Sequence, residues 1–295
     1  MDLVNLAWLL LLSAIWGASY MLIKIGVAEM PPLTFAMTRV FFGTLVLAVM
    51  VRAQRLAIPR TRGDWQRYLF MGMFNTFLPF AAISWGTQHI PSGIASILNA
   101  TMPLFVFTLA IVLHLERPSL WRLLGLLFGF AGIVVLTLPR LEGGLNVGLL
   151  GSLAIVASAL CYAVATVFAR RHMSGYAPLV SSLGQVGTGW VFLLVASLAM
   201  EGPLAGPVSF RSLGVAAFLG AVSTALAYLI YYRLVRNIGA TRTSMNSFVI
   251  PLFGVFWGWL ILDERLGWHA FLALGLIVVG LALVNDLLGL KRRRA

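Results

Sequence analysis

The sequence predicts an all-α integral membrane protein of ten transmembrane helices, built as two inverted-topology repeats of five helices. Three observations predict it. Of 295 residues, 60% are apolar and only 10% charged, against about 25% charged in an ordinary soluble domain. Ten apolar runs of about 19 to 23 residues alternate with mostly short polar gaps, and that is the length a helix needs to cross hydrocarbon. Finally, Ile90, Asn99, Pro103, Glu116-Arg117 and Gly132 recur 148 residues later as Ile238, Ser247, Pro251, Glu264-Arg265 and Gly280.

In both copies the proline lies 13 residues before the acidic-basic pair, and a glycine-rich apolar run follows. Five spans are an odd number, so the second half must enter the membrane from the opposite side. This divides the chain into a repeat over 1–143 and an inverted repeat over 144–295. Inverted duplication is an architecture of secondary transporters with a site at mid-membrane.

The spans follow in order. The first, 4–25, has neither a basic leader nor a small-residue cleavage pattern, so it reads as a retained helix and not a removed signal peptide. The second, 33–51, carries Arg39 about seven residues in. The basic gap 52–65, with Pro59 and Gly63 as breakers, leads to the third span, 66–86. There Asn75 and Thr76 lie between Phe74 and Phe77. The fourth, 92–113, carries Ser92, Ser96, Asn99, Thr101 and Pro103; the fifth is 119–138. The sixth, 148–169, with Cys161-Tyr162 and Ala165, is related to the first, with Trp16-Gly17 and Tyr20. The seventh is 177–199. A Pro- and Gly-rich gap precedes the eighth, 211–232, which ends on Tyr228, Tyr231 and Tyr232. The ninth, 240–262, repeats the fourth with Thr243, Ser244, Asn246, Ser247 and Pro251. The tenth, 267–288, ends before Lys291-Arg292-Arg293-Arg294.

Basic residues set the orientation, because loops on the cytoplasmic side carry an excess of Lys and Arg. With the N-terminus inside, the inner loops hold 16 of the 21 basic residues and the outer loops only Arg140, Arg211 and Arg265, with Lys24 and Arg39 in or near spans. Both termini are expected in the cytoplasm, with the chain in a bacterial inner membrane.

The net charge of +12 is spread over these gaps and forms no nucleic-acid-binding face. One cysteine, Cys161, excludes an intrachain disulfide and a cysteine metal cluster. No Walker motif is present, so the chain itself consumes no ATP. No span carries a central Asp or Glu for a proton relay, and no paired carboxylates or His-x-x-x-His suggest membrane enzyme chemistry. The expectation is a protein that is not an enzyme and needs no metal or cofactor.

Polar groups inside spans need partners. Asn75, Asn99, Asn246 and Ser244 are candidates for contact with a solute; bonding across helix interfaces is the plain alternative. Pro103 and Pro251 free the carbonyls of Asn99 and Ser247, either as simple kinks or as the broken helices that line a substrate path. Trp16, Tyr20, Tyr162 and Tyr228 lie deep enough to wall a cavity or to fill the core, whereas Tyr231 and Tyr232 beside Arg233 fit interface anchors. Arg39 has two readings, a structural lock or a partner for a substrate carboxylate. Lys24 is expected to snorkel or to pair with Glu29. His89 is expected in the outer loop.

These residues carry a resemblance. Trp16-Gly17-Ala18-Ser19, Phe35 to Phe41 with Arg39, Gly93 to Pro103 followed by Glu116-Arg117, and Gly239 to Pro251 followed by Asp263-Glu264-Arg265 occur in an order and spacing similar to the drug/metabolite transporter superfamily, EamA-type. The resemblance covers nearly the whole chain. It implies a compact ten-helix fold with a central cavity lined mainly by spans 1, 3, 4, 6, 8 and 9. It also implies export of small solutes: amino acids or analogues, purine-related metabolites or toxic cations. Some members resemble aromatic amino-acid exporters. The acidic-basic pair looks structural, since members without it in the second half exist.

The leading expectation is a secondary carrier that exports small metabolites, amino acids above all, by alternating access. Its substrate-binding candidates are Trp16, Tyr20, Arg39, Asn75, Asn99, Tyr162, Tyr228, Ser244 and Asn246. Its partners would be the small-molecule substrate and membrane lipid, with no nucleic acid and a monomeric or weakly dimeric state. Export of lipophilic cations, a passive channel or scramblase, and a non-transporting scaffold are the alternatives.

Overall fold

A computed structural model describes residues 2–59, 61–116, 119–138, 146–173, 175–202 and 209–284. The described residues are helical with connecting turns, and contain no strand. Ten helices appear: α1 (Leu3–Val27), α2 (Pro32–Ala53), α3 (Arg62–His89), α4 (Ser92–Val112), α5 (Leu120–Thr137), α6 (Val147–His172), α7 (Pro178–Met200), α8 (Phe210–Ile238), α9 (Ala240–Thr243 continuing as Asn246–Leu262) and α10 (Trp268–Val284). The first eight have the length and apolarity of membrane spans. Asn246–Leu262 reaches about 25 Å at 1.5 Å per residue, which Ala240–Thr243 extends toward a hydrocarbon core of about 30 Å, and α10 is described over Trp268–Val284. Large apolar side chains such as Leu45, Leu127, Val195 and Trp259 stay exposed on the outside of the bundle, as lipid contact requires.

Local chemistry sets the ends. Asp2 accepts from the Asn5 amide at 2.8 Å, and Asn146 accepts from the Leu149 amide at 2.9 Å. Thr61 and Asp64 cap α3 reciprocally. Each satisfies an orphan donor at a helix start. Pro32 and Pro178 sit in the first turns of α2 and α7, where a missing N–H is harmless. Gly239, at φ 83°, turns the chain from α8 into α9.

The packing pairs come in related sets. α5 packs on α10 and α2 on α7; α1 meets α9 as α6 meets α4; α3 meets α6 and α7 as α8 meets α1 and α2. Exchanging the halves maps this set onto itself, as expected for a duplicated bundle. Gly125 and Gly280 let α5 and α10 touch, because a Cβ on Gly125 would lie 2.7 Å from the Gly280 carbonyl oxygen. Such close backbone contact is how membrane helices gain packing energy.

The helix interruptions depart from the expected pair of proline kinks. α4 breaks at Ala100–Thr101, just before Pro103, but α9 breaks at Ser244–Met245 and runs unbroken through Pro251. A second pair of irregularities is symmetric: π-helical turns at Met73–Phe77 in α3 and Leu219–Leu226 in α8. The 148-residue offset places 73–77 on 221–225, inside the second turn. In α3 the Leu78 amide reaches back to the Met73 carbonyl, and Pro79, which offers no N–H, follows at once. In α8 the Thr224 hydroxyl donates to the Leu219 carbonyl at 3.2 Å.

Candidate functional site

The two π turns and α2 bring polar and aromatic side chains of both halves together. Arg39 on α2 is 8% exposed. Its guanidinium carbon lies 4.5 Å from the centre of the Phe80 ring. Tyr20 (α1), Tyr162 (α6) and Tyr228 (α8) lie within electrostatic range of it. Its Nε has no hydrogen-bond partner among the described residues, and no described ion pair includes it. α2 is held here by close contact with α8: a Cβ on Gly220 would lie 2.7 Å from the Gly43 backbone nitrogen and would also strike the Arg39 carbonyl oxygen.

Two asparagines frame the cluster. The Ser158 hydroxyl (α6) donates to Asn99 Oδ1 at 3.0 Å. Asn75 Nδ2 donates to Gln185 Oε1 (α7) at 2.9 Å. Asn99 thus joins α4 to α6, and Asn75 joins α3 to α7.

Among the candidates from sequence, Tyr20, Arg39, Asn75, Asn99, Tyr162 and Tyr228 meet here. Trp16 lies one turn from Tyr20, and its indole N–H donates to the Ser223 carbonyl at 3.0 Å while its ring tilts against Tyr231. Ser244 is exposed at the break in α9. Asn246 is 3% exposed, and its Oδ1 has no partner among the described residues. Phe80, Ser158 and Gln185 were missed. Gln185 carried a legible signal, since a glutamine inside an apolar span needs a partner; Phe80 and Ser158 carried none.

Carboxylates tie the ends of the bundle on the face opposite the N-terminus. Glu264, beyond α9, accepts from the amides of Ser92 and Gly93 at 2.8 and 3.1 Å and from the Ser92 hydroxyl at 3.0 Å. Lys24 Nζ lies 3.2 Å from Glu264 Oε1 and donates to the Ile90 carbonyl at 2.9 Å. Glu201 accepts in the same manner from the amides of Leu33 and Thr34 at 2.8 and 2.7 Å. An anion on a helix N-terminus satisfies free amides and the helix dipole together.

These contacts correct several expectations. Lys24 pairs with Glu264 and not with Glu29, because α1 and α9 pack along their length while Glu29 lies past the end of α1 beside Arg211, 3.5 Å away. Tyr231 and Tyr232 are not free interface anchors: Tyr231 packs on Trp16, and Tyr232 shares a 3.0 Å hydrogen bond with Ser182. His89 is the last residue of α3, edge-on to Trp85, and not a loop residue. Glu116 pairs with Arg122 at 2.8 Å; Arg117 lies outside the described residues, as do Arg60, Arg140 and the basic tail.

The related ends of α4 and α9 differ in burial. Ile94, Ser96 and Ile97 are buried, whereas the positions 148 residues later, Arg242, Ser244 and Met245, are exposed. The positions between them do not differ: Thr243 and Asn246 are buried like their counterparts Ala95 and Leu98.

Comparison with known proteins agrees with this architecture. The model of the EamA-like transporter family matches residues 4–138 and again 149–286. The uncharacterized transporter YoaV of Bacillus subtilis is 25% identical over 267 residues, covering 90% of this chain and 91% of its own. The uncharacterized inner membrane transporter YedA of Escherichia coli K12 is 28% identical, covering 92% and 87%. A probable amino-acid metabolite efflux pump of Escherichia coli K12 is 28% identical over 302 residues, covering 97% and 95%. A crystal structure at 20% identity superposes with a TM-score of 0.67 over 97% of this chain and 98% of its own, which supports the fold alone.

Proposed function

We propose, from the premise that the chain belongs to the EamA-like transporter family and is a multi-pass membrane transporter, that it exports small polar metabolites, amino acids and their derivatives above all, from the cytoplasm. The membrane would be a bacterial inner membrane, with both termini cytoplasmic. The basic residues at the N-terminal face and the inner-membrane description of the YedA relatives support this placement.

One observation carries the alternating-access reading: at three symmetry-related positions α4 is buried (Ile94, Ser96, Ile97) where α9 is exposed (Arg242, Ser244, Met245). A duplicated bundle buried at one end and exposed at the related positions fits a carrier occupying one of two exchangeable states. In the other state Glu264 would release the start of α4, and α9 would close at the cytoplasmic face. The cluster around Arg39 lies between these ends and supplies hydrogen bonds from Asn75 and Asn99 and rings from Tyr20, Tyr162 and Tyr228. Amino-acid derivatives enter the reading from the printed name of one relative.

The test is flux in proteoliposomes holding the purified protein and a panel of labelled amino acids and derivatives. Carrier-mediated exchange should saturate and speed up with solute on the opposite side. Flux without saturation or counterflow points to a channel, and no flux of any panel member overturns the reading. Lipophilic-cation export fits less well, since a buried cation, Arg39, already occupies the site.

A further inference from the structure

We propose that Arg39 docks the substrate carboxylate, so that among amino-acid derivatives the central site prefers net-anionic ones over the parent zwitterions and over cations. This rests on reading the same cluster as the transport site, and it names the substrate class.

An arginine inside hydrocarbon is costly unless its charge is matched. A structural lock would show its N–H groups on carbonyls or a carboxylate. Arg39 instead shows a Phe80 ring face at 4.5 Å and an unpartnered Nε at 8% residue exposure. The carboxylates that form described ion pairs are committed elsewhere, Glu264 to Lys24, Glu29 to Arg211 and Glu116 to Arg122. The site therefore holds one positive charge with no protein counter-charge among the described ion pairs.

The fork of a guanidinium matches a carboxylate in two parallel hydrogen bonds. A monoanion brings the site to neutrality. A zwitterion brings in addition an ammonium group that meets only amide and phenol oxygens and ring faces, and a neutral amide or a cation leaves Arg39 unmatched. Tyr20, Tyr162, Tyr228 and Phe80 offer ring faces to an aromatic side chain. The order of preference is then aromatic hydroxy or N-acyl acid, aromatic amino acid, and last the amide of that amino acid.

The test uses three solutes of one shape: phenyllactate, phenylalanine and phenylalaninamide. Purified full-length protein in a zwitterionic buffer is melted with each, and with chloride and inorganic phosphate as separate arms. Phenyllactate should raise the melting temperature at concentrations about 10-fold or more below those at which phenylalaninamide does. Arg39→Gln should abolish that shift, and Arg39→Lys should keep part of it. Competition for counterflow in wild-type proteoliposomes should give the same order, so the result does not depend on a variant that folds. Equal responses to the three solutes, a shift retained in Arg39→Gln, or an equal response to chloride or phosphate alone overturns the proposal. Stabilisation by phenyllactate without flux sinks the transport reading and leaves the anion site; flux with no carboxylate preference does the reverse.

Discussion

Lys24 Nζ lies 3.2 Å from Glu264 Oε1, joining the end of α1 in the first half to the loop beyond α9 in the second. The same carboxylate covers the first amides of α4. Gly258 makes this possible: a Cβ there would lie 2.6 Å from Glu264 Oε2 and 2.8 Å from the Ser92 hydroxyl. One side chain thus gathers three helices at a single point on the face opposite the N-terminus.

Glu264→Gln keeps the shape and removes the charge. An anion at a helix N-terminus contributes about 0.3–1 kcal/mol, and up to ~2 kcal/mol when partly buried. Loosening of this junction is the expected outcome. With Cys161 replaced by Ala, a cysteine at Ile94 should react faster with a membrane-impermeant thiol reagent added from that face. An unchanged labelling rate argues against the latch.

Glu29 links the first loop to the start of α8. A hydrogen bond from Ser209 holds its carboxyl below the usual glutamate range, helped by Arg211, while desolvation opposes the shift. A depressed folded-state pKa adds stability that is present above the unfolded value of about 4.3 and is lost as pH falls through the folded value. Wild-type should therefore melt above Glu29→Gln at neutral pH, and the gap should close only below about pH 4. A gap that closes already at pH 6 counts against this assignment.

Gly220 holds α8 against the backbone of α2 at Arg39. Gly220→Val must push the helices apart, and overpacking of this kind costs about 1–3 kcal/mol. Melting temperature and flux should both fall. Gly214→Ala, where an added Cβ has open space, should leave both near wild-type. Equal behaviour of the two variants rules out close α2–α8 contact.

Asn99 accepts a hydrogen bond from Ser158 between α4 and α6. Asn99→Ala removes this bond at a cost of about 0.5–1.5 kcal/mol, while the Ser158 hydroxyl keeps its 2.7 Å bond to the Ile155 carbonyl. The double variant with Ser158→Ala should cost less than the sum of the two single ones, because both remove one shared bond. Additive losses would separate the two side chains.

Much of the fold was legible in the chain. Span number followed from apolar run length, and the halves followed from the recurrence of Pro103 and Glu116 as Pro251 and Glu264. Among the described residues, boundaries fell within a few residues except in α3 and α8, whose ends at the N-terminal face extend beyond their apolar cores. Arg62–Trp65 and Arg233–Asn237 read as loop because they are polar, yet they continue the helices, where long basic side chains reach water at little cost. Within the site, Arg39, Asn75 and Asn99 stood out as polar groups in apolar spans. Phe80 and Ser158 did not, because a phenylalanine or serine in a span is ordinary.

What the sequence by itself determined was the number of helices, their alternating sense and the duplication. Those depend on stretches of about 20 residues meeting a layer of fixed thickness, and every backbone group inside must bond within its own helix. Only the tertiary structure decided which polar groups meet. A π turn adds a residue and rotates the rest of its helix by about 100°, so the facing of Asn75, Phe80 and Tyr228 cannot be counted from helical spacing. In the same way, Lys24 found Glu264, far away in the chain, in preference to the nearby Glu29. Helix rotation and crossing set such partners, and both are fixed by packing between the two halves.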